Sequence, residues 1–180
     1  MRRPNLPMSA DLAGLFLERS RYYLSTEYWT KLHCAVDALP ADRLWWRPNE
    51  QSNSVGNLLL HLTGNIRHWI VSGVQGAPSS RNRAAEFAAQ EGAPAAELLA
   101  ALERALAEVD SVLSRLRAEN LRERHTIQGR EVTVFEAVLH VVEHFAYHVG
   151  QIVFVAKLCN PGAIRFYEDA GGLAIPRWKE

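Results

Sequence analysis

Three histidines, His140, His144 and His148, stand four residues apart in one apolar run that continues to Gln151. On a helix such residues lie one turn above each other, so their imidazoles can converge on a point. A histidine pair at this spacing is half of a transition-metal site. A second apolar segment carries His61, which can supply a third ligand. Three neutral imidazoles on two helices hold a first-row divalent ion and leave positions open for water or substrate. Zinc so held would lower the pKa of a bound water or deprotonate a bound thiol. Spacing alone admits His140 with His144 as readily as His144 with His148.

The surroundings of these histidines argue for a lined cavity. Glu136, His140, Glu143, His144, Tyr147, His148 and Gln151 recur within a sector of about 140° on a helix that is otherwise almost wholly apolar. Ser54, Asn57, His61, Asn65, His68 and Ser72 make a similar stripe about 80° wide. A face turned to solvent carries long Lys, Arg and Glu side chains. The second stripe has none, and short neutral polar groups around a histidine suit a pocket. Asn65 and Gln151 are placed to orient a ligand or water.

Four long helical patterns must position these groups. The first covers residues 10–37 and ends at Leu39-Pro40, with a short turn at 42–46 closed by Pro48. The second covers 54–74 with Ser54 as N-cap. A connection over 75–92, holding a helical turn at 83–89, is long enough for a crossover. The third helix runs over 94–117, opened by Pro94. Residues 119–131, broken by Gly129, form a loop or small hairpin, and Thr133 with Glu136 is a capping-box signature for a fourth helix to residue 158. No alternating strand of any length stands out. The expected fold is all-α, one domain over 1–180 with a core at 10–158 and a tail at 160–180, whose Phe166, Tyr167 and Trp178 pack back on the bundle.

Size and charge bound the rest. A chain of 180 residues, 48% hydrophobic, buries a core without disulfides or a folding metal. Zero formal net charge and the lack of a basic stripe argue against nucleic acid or an anionic membrane. Cys34 and Cys159 are too few for a disulfide framework and fit a reduced cytoplasmic protein. Asp11, Glu18 and Arg19 interrupt any signal-like apolar run, and no segment approaches the roughly 20 apolar residues of a membrane span. A di-iron carboxylate bundle needs Glu-x-x-His pairs, and no glutamate here precedes a histidine by three. Cys34 reads as a small buried side chain, His33, His68 and His125 as surface or hydrogen-bonded histidines, and Trp45 and Trp46 as packing anchors.

The run from Asn53 through Asn57 to His61, the run from Glu143 to Gln151, and the turn Leu44-Trp45-Trp46-Arg47-Pro48 together resemble the DinB/YfiT-like superfamily, in that order, over residues 12–158. The resemblance implies a four-helix bundle with a mirror variant of up-and-down topology. It implies His61, His144 and His148 as the metal triad, with His140 as a neighbour. It also implies a divalent metal (zinc, nickel, manganese or iron) and a low-molecular-weight thiol of the bacillithiol, mycothiol or glutathione kind. The function so implied is a thiol transferase or thiol-dependent isomerase acting on a small molecule. Tyr147 stands where relatives often carry another histidine. The competing reading is a non-catalytic, stress-associated bundle that binds a metal or ligand without turnover. The apolar circumference of the fourth helix points to a central position or a homodimer face.

Overall fold

The protein is seen in a computed structural model that describes residues 8–177. Among these residues four long helical rods pack side by side. The first is α1 (Met8–Tyr22) running through a π turn (Tyr23–Tyr28) into α2 (Trp29–Asp37). The second is α3 (Val55–Ile66) and its π continuation (Arg67–Val74). A crossover carrying the short α4 (Arg83–Ala88) leads to α5 (Ala95–Leu113), and α6 (Val134–Cys159) completes the set. α3 packs on α5 and α6, while α2 lies along α6. Phe145 at the centre of α6 is fully buried, as are Leu32, Leu58, Leu62, Ile66, Leu102 and Ile152.

The helix starts follow from local chemistry. Ser54 caps α3 by accepting from the Asn57 N–H, and Asn57 Oδ1 accepts from the Ser54 N–H in return. Thr133 and Glu136 form the same reciprocal box at α6. Pro94 stands just before α5, as its N-cap.

The all-α expectation needs correction, because two small antiparallel hairpins accompany the helices. β1 (Arg124–Ile127) pairs with β2 (Arg130–Thr133), and β3 (Tyr167–Ala170) with β4 (Leu173–Pro176). Both turn on two residues of positive φ, Gln128-Gly129 and Gly171-Gly172, the geometry of a two-residue hairpin turn. The first falls largely in the stretch expected as a loop or small hairpin, whereas the four-residue strands of the second present no alternation long enough to read in sequence. The protein is therefore mostly helical.

A second correction concerns α6. Its 26 residues are long and apolar enough to cross a bilayer, against the expectation that no segment is. The polar stripe along α6 is mostly uncharged His, Tyr and Gln, so it does little to lower the apolarity of the whole. Within the structure one side of α6 meets α2, α3 and the second π turn, and Phe135, Leu139, Phe154 and Leu158 lie exposed.

The tail packs back in part: Ile164 is buried and Phe166 lies against the core, while Leu173 and Ile175 are exposed. Trp178 lies outside the described residues. Cys34 is exposed, contrary to the buried reading, because it falls on the outer side of α2 beside the tail.

Candidate metal centre

The turn before α3 fixes the crossover that backs the site. The Trp45 ring packs on Gly56, whose N–H donates to the Leu44 carbonyl. Arg47 Nη2 lies within 3.1 Å of Asn57 Oδ1 and of the Phe87 and Ala89 carbonyls. The buried Asn57 amide donates to the Glu86 and Ala89 carbonyls. One asparagine thus completes the capping box of α3 and anchors α4. Asn57→Ala strips partners from several buried groups at once, each worth about 1–3 kcal/mol when left unpaired. We expect a loss of about 2–3 kcal/mol in urea unfolding. A loss under about 0.5 kcal/mol would show that the anchor is not structural.

This anchor sets Glu86 against His61. The His61 Nδ1–H donates to Glu86 Oε2 at 2.9 Å, and both side chains are buried. Glu86 is itself held by Arg81 through Nε and Nη2 at 2.7 and 2.8 Å, a bidentate pair. Arg81 and His61 together outweigh the burial that would raise the carboxyl, so Glu86 lies below the usual carboxylate range. Gly64 makes room for the pair: a Cβ there would overlap Glu86 Oε1 and stand 2.9 Å from Arg81 Nε.

On α6, His148 Nδ1–H donates to Gln151 Oε1 at 2.7 Å. Two of the three imidazoles are therefore held in the tautomer that leaves Nε2 with a free lone pair. The ligand atoms of His61, His144 and His148 all lie within 4.8 Å of one another. The rings meet edge to face, with centroids 4.4 to 5.0 Å apart and planes at 71° to 86°. His61 Nε2 and His144 Nε2 are 2.8 Å apart, so two lone pairs would repel unless a proton or a cation lies between them.

His140 lies outside this cluster. Its ring stacks on His144, at 5.2 Å, and lies tilted against Trp69, at 4.1 Å. Of the two pairs that spacing admits, it is His144 with His148 that lies together with His61. Tyr147 is exposed and edge-on to His148 at 5.2 Å.

The expected stripe on the second rod does not stay together. His61 and Asn65 are buried, but the π turn that follows advances each residue by about 80° instead of 100°. Trp69 consequently takes the place against α6, while His68 turns to Ser79 of the crossover, its Nδ1 3.0 Å from Oγ. Asn65 Oδ1 and Trp69 Nε1 are buried without a hydrogen-bond partner among the described residues.

Sequence reasoning missed Glu86, Arg81 and Gly64. Glu86 is 25 residues from His61, and no helical spacing connects them.

Burial favours the neutral imidazole at His144, His148 and His140. His144 is lowered to about 3, first by burial and then by the neighbouring His148 and His61. His148 and His140 are lowered by burial as well. A histidine whose folded pKa lies below its unfolded value near 6.5 binds fewer protons when folded. Stability is then flat above pH 6.5 and falls as the pH drops from there toward 3. Glu86, depressed by its partners, adds a loss of the same sign at lower pH. We expect the urea midpoint of the metal-free protein to decline below pH 6.5, and less steeply in His144→Gln. An unchanged midpoint between pH 6.5 and 4.5 would contradict this assignment.

The fold is similar to that of DinB-like proteins of known structure. A DinB-like protein from Bacillus cereus superposes with a TM-score of 0.63 at 16% identity, covering 82% of this chain and 94% of that one. A DinB-like protein from Bacillus subtilis, YjoA, gives 0.61 at 17% identity, covering 84% and 98%. The chain belongs to DUF1572, a family described as proteins of unknown function, whose model matches residues 11–172. No curated protein matches the sequence.

Proposed function

We propose that the protein is a metal-dependent enzyme in which His61, His144 and His148 bind a divalent transition metal and a small-molecule thiol is the co-substrate. The observation that carries this reading is the convergence of three imidazole ligand atoms within 4.8 Å. Ligands about 2.05 Å from a tetrahedral zinc stand about 3.4 Å apart, so the cluster needs only small ring movements to fit. The tethered Nδ1 atoms of His61 and His148 support it, as does the burial that keeps His144 and His148 neutral.

When bound, the ion would supply Lewis acidity, holding a thiol as thiolate at neutral pH. The chain's own residues do the positioning. Glu86 and Gln151 fix the rings, and Phe87, 4.5 Å from the His61 ring, covers that imidazole. The unpaired Asn65 Oδ1 is an acceptor and Trp69 Nε1 a donor, and each suits a polar substrate group or water beside the cluster. The thiol class, the transferase or isomerase chemistry and the mirror-variant topology come from the DinB/YfiT-like resemblance.

The test combines elemental analysis and zinc, nickel and manganese titration with turnover of bacillithiol, mycothiol and glutathione against an electrophile panel. Stoichiometric metal and a thiol-dependent rate that disappears in His61→Ala support the reading. Stoichiometric metal without turnover favours the non-catalytic binding bundle. No stoichiometric metal ends both the metal assignment and the enzyme reading built on it.

A further inference from the structure

The outer face of α6 is apolar along most of its length. Phe135, Leu139, Tyr147, Phe154 and Leu158 are all exposed, Tyr147 by 64% and Phe154 by 63%. At 100° per residue they fall, with Glu136, Glu143, Gly150 and Lys157, within a sector of about 140° that α2 and α3 leave uncovered. On α1 the exposed Leu12 stands one turn before Phe16, whose ring lies 4.5 Å from that of Phe135, so it widens the patch. At about 150–200 Å² per large side chain, the exposed parts of the five on α6 come to about 400–500 Å². A monomer rarely leaves more than this open, and two such faces with their flanks reach the roughly 1,000 Å² of a specific interface.

Gly150 lies in the middle of this face. A glycine inside a helix is less stable than an alanine, so its place calls for a reason. None comes from this copy of the chain, because a Cβ at Gly150 would meet nothing within 4 Å. A bare spot on an otherwise bulky face suits the close approach of another backbone.

The face is also complementary to itself. About a point between Ala146 and Tyr147, Phe135 mirrors Leu158, Leu139 mirrors Phe154, and Glu143 mirrors Gly150. The charges at the two ends are opposite, Glu136 in the first turn of α6 and Lys157 in the last. Antiparallel pairing therefore sets bulky apolar groups against each other, brings each acidic end beside a basic one and opposes the helix dipoles. Parallel pairing would bring like ends together. The stripe climbs mainly in steps of four residues, so the two helices cross at an angle.

We propose that a second copy of this chain covers this face, α6 against α6 in antiparallel order, about a two-fold axis between Ala146 and Tyr147. Phe135 then meets the partner's Leu158, and Leu139 meets the partner's Phe154. Glu143 passes over the partner's Gly150, where the missing side chain leaves the carboxylate a path to water. A bilayer suits the face less well. Two glutamates lie within the stripe and Lys157 is the one Lys or Arg of α6, whereas helices that settle on an anionic surface carry several. Such a dimer needs no metal, so its test is independent of the metal centre.

The full-length protein is followed by sedimentation velocity and light scattering from about 1 to 100 μM. The expected mass is that of two copies. Phe154→Asp and Gly150→Leu should each weaken association by at least about tenfold while the circular-dichroism spectrum stays the same. Register is read by diamide oxidation of single cysteines in a Cys34→Ser, Cys159→Ser background. Tyr147→Cys should form a disulfide-linked dimer, since the two copies of residue 147 flank the axis. Gly150→Cys should link to Glu143→Cys in a mixture but not to itself, because two copies of residue 150 stand about 10 Å apart along the helices. A single-copy mass throughout, with or without binding to anionic lipid vesicles, would overturn the proposal. So would association indifferent to both folded variants, or a Gly150→Cys self-link.

Discussion

His148→Ala lowers metal affinity by about two to three powers of ten, with His61→Ala equal to it. Structural zinc sites yield about 10–16 kcal/mol over four ligands, or about 2.5–4 kcal/mol for each. At about 1.4 kcal/mol per tenfold, one lost imidazole gives that range. His140→Ala serves as the contrast, since His140 lies outside the cluster and stacks on its edge. It should change affinity less than about tenfold. Cobalt titration followed by the ligand-field spectrum reads both affinity and coordination geometry. Equal losses for His140→Ala and His148→Ala would place the ion one turn away from where the three nitrogens meet.

Glu86→Ala carries the second large effect, and it appears on two axes. The substitution leaves the Arg81 guanidinium buried without its carboxylate, which costs about 3–5 kcal/mol of stability. It also frees the His61 ring, so metal affinity falls by about 10–100-fold through loss of orientation and basicity. The two axes can be separated. Combining Glu86→Gln with Arg81→Met removes the stranded charge and restores most of the stability, while the weaker amide acceptor leaves metal binding impaired. Urea unfolding and metal competition on the single and double variants decide the matter. If Glu86→Ala costs under about 1 kcal/mol and leaves affinity intact, the pair is no support for His61.

The parts of the fold that could be read in the sequence are those written in local chemistry. Ser54 with Asn57 and Thr133 with Glu136 announce two helix starts, because a cap needs only residues three apart. His144 and His148 share a face for the same kind of reason, as does the tie between His148 and Gln151. The tail hairpin was hidden because two Gly in a row mark a turn without saying that four-residue strands flank it. The π turn after Ile66 was hidden as well. Nothing in the run from Arg67 to Val74 announces it, and it swaps His68 for Trp69 at the face toward α6.

By itself, then, the sequence determined the helical rods, their caps and the two-histidine face of α6, all products of interactions within a few residues. That His61 meets that face and His140 stays outside was implied by motif resemblance, not by spacing, and is a matter of tertiary structure. Tertiary structure also decided that a carboxylate from the crossover backs the His61 ring, in the room left by Gly64. The reason is distance along the chain. Contacts across 25 to 87 residues depend on how the rods pack and how Arg47 and Asn57 pin the crossover, and no periodicity encodes that.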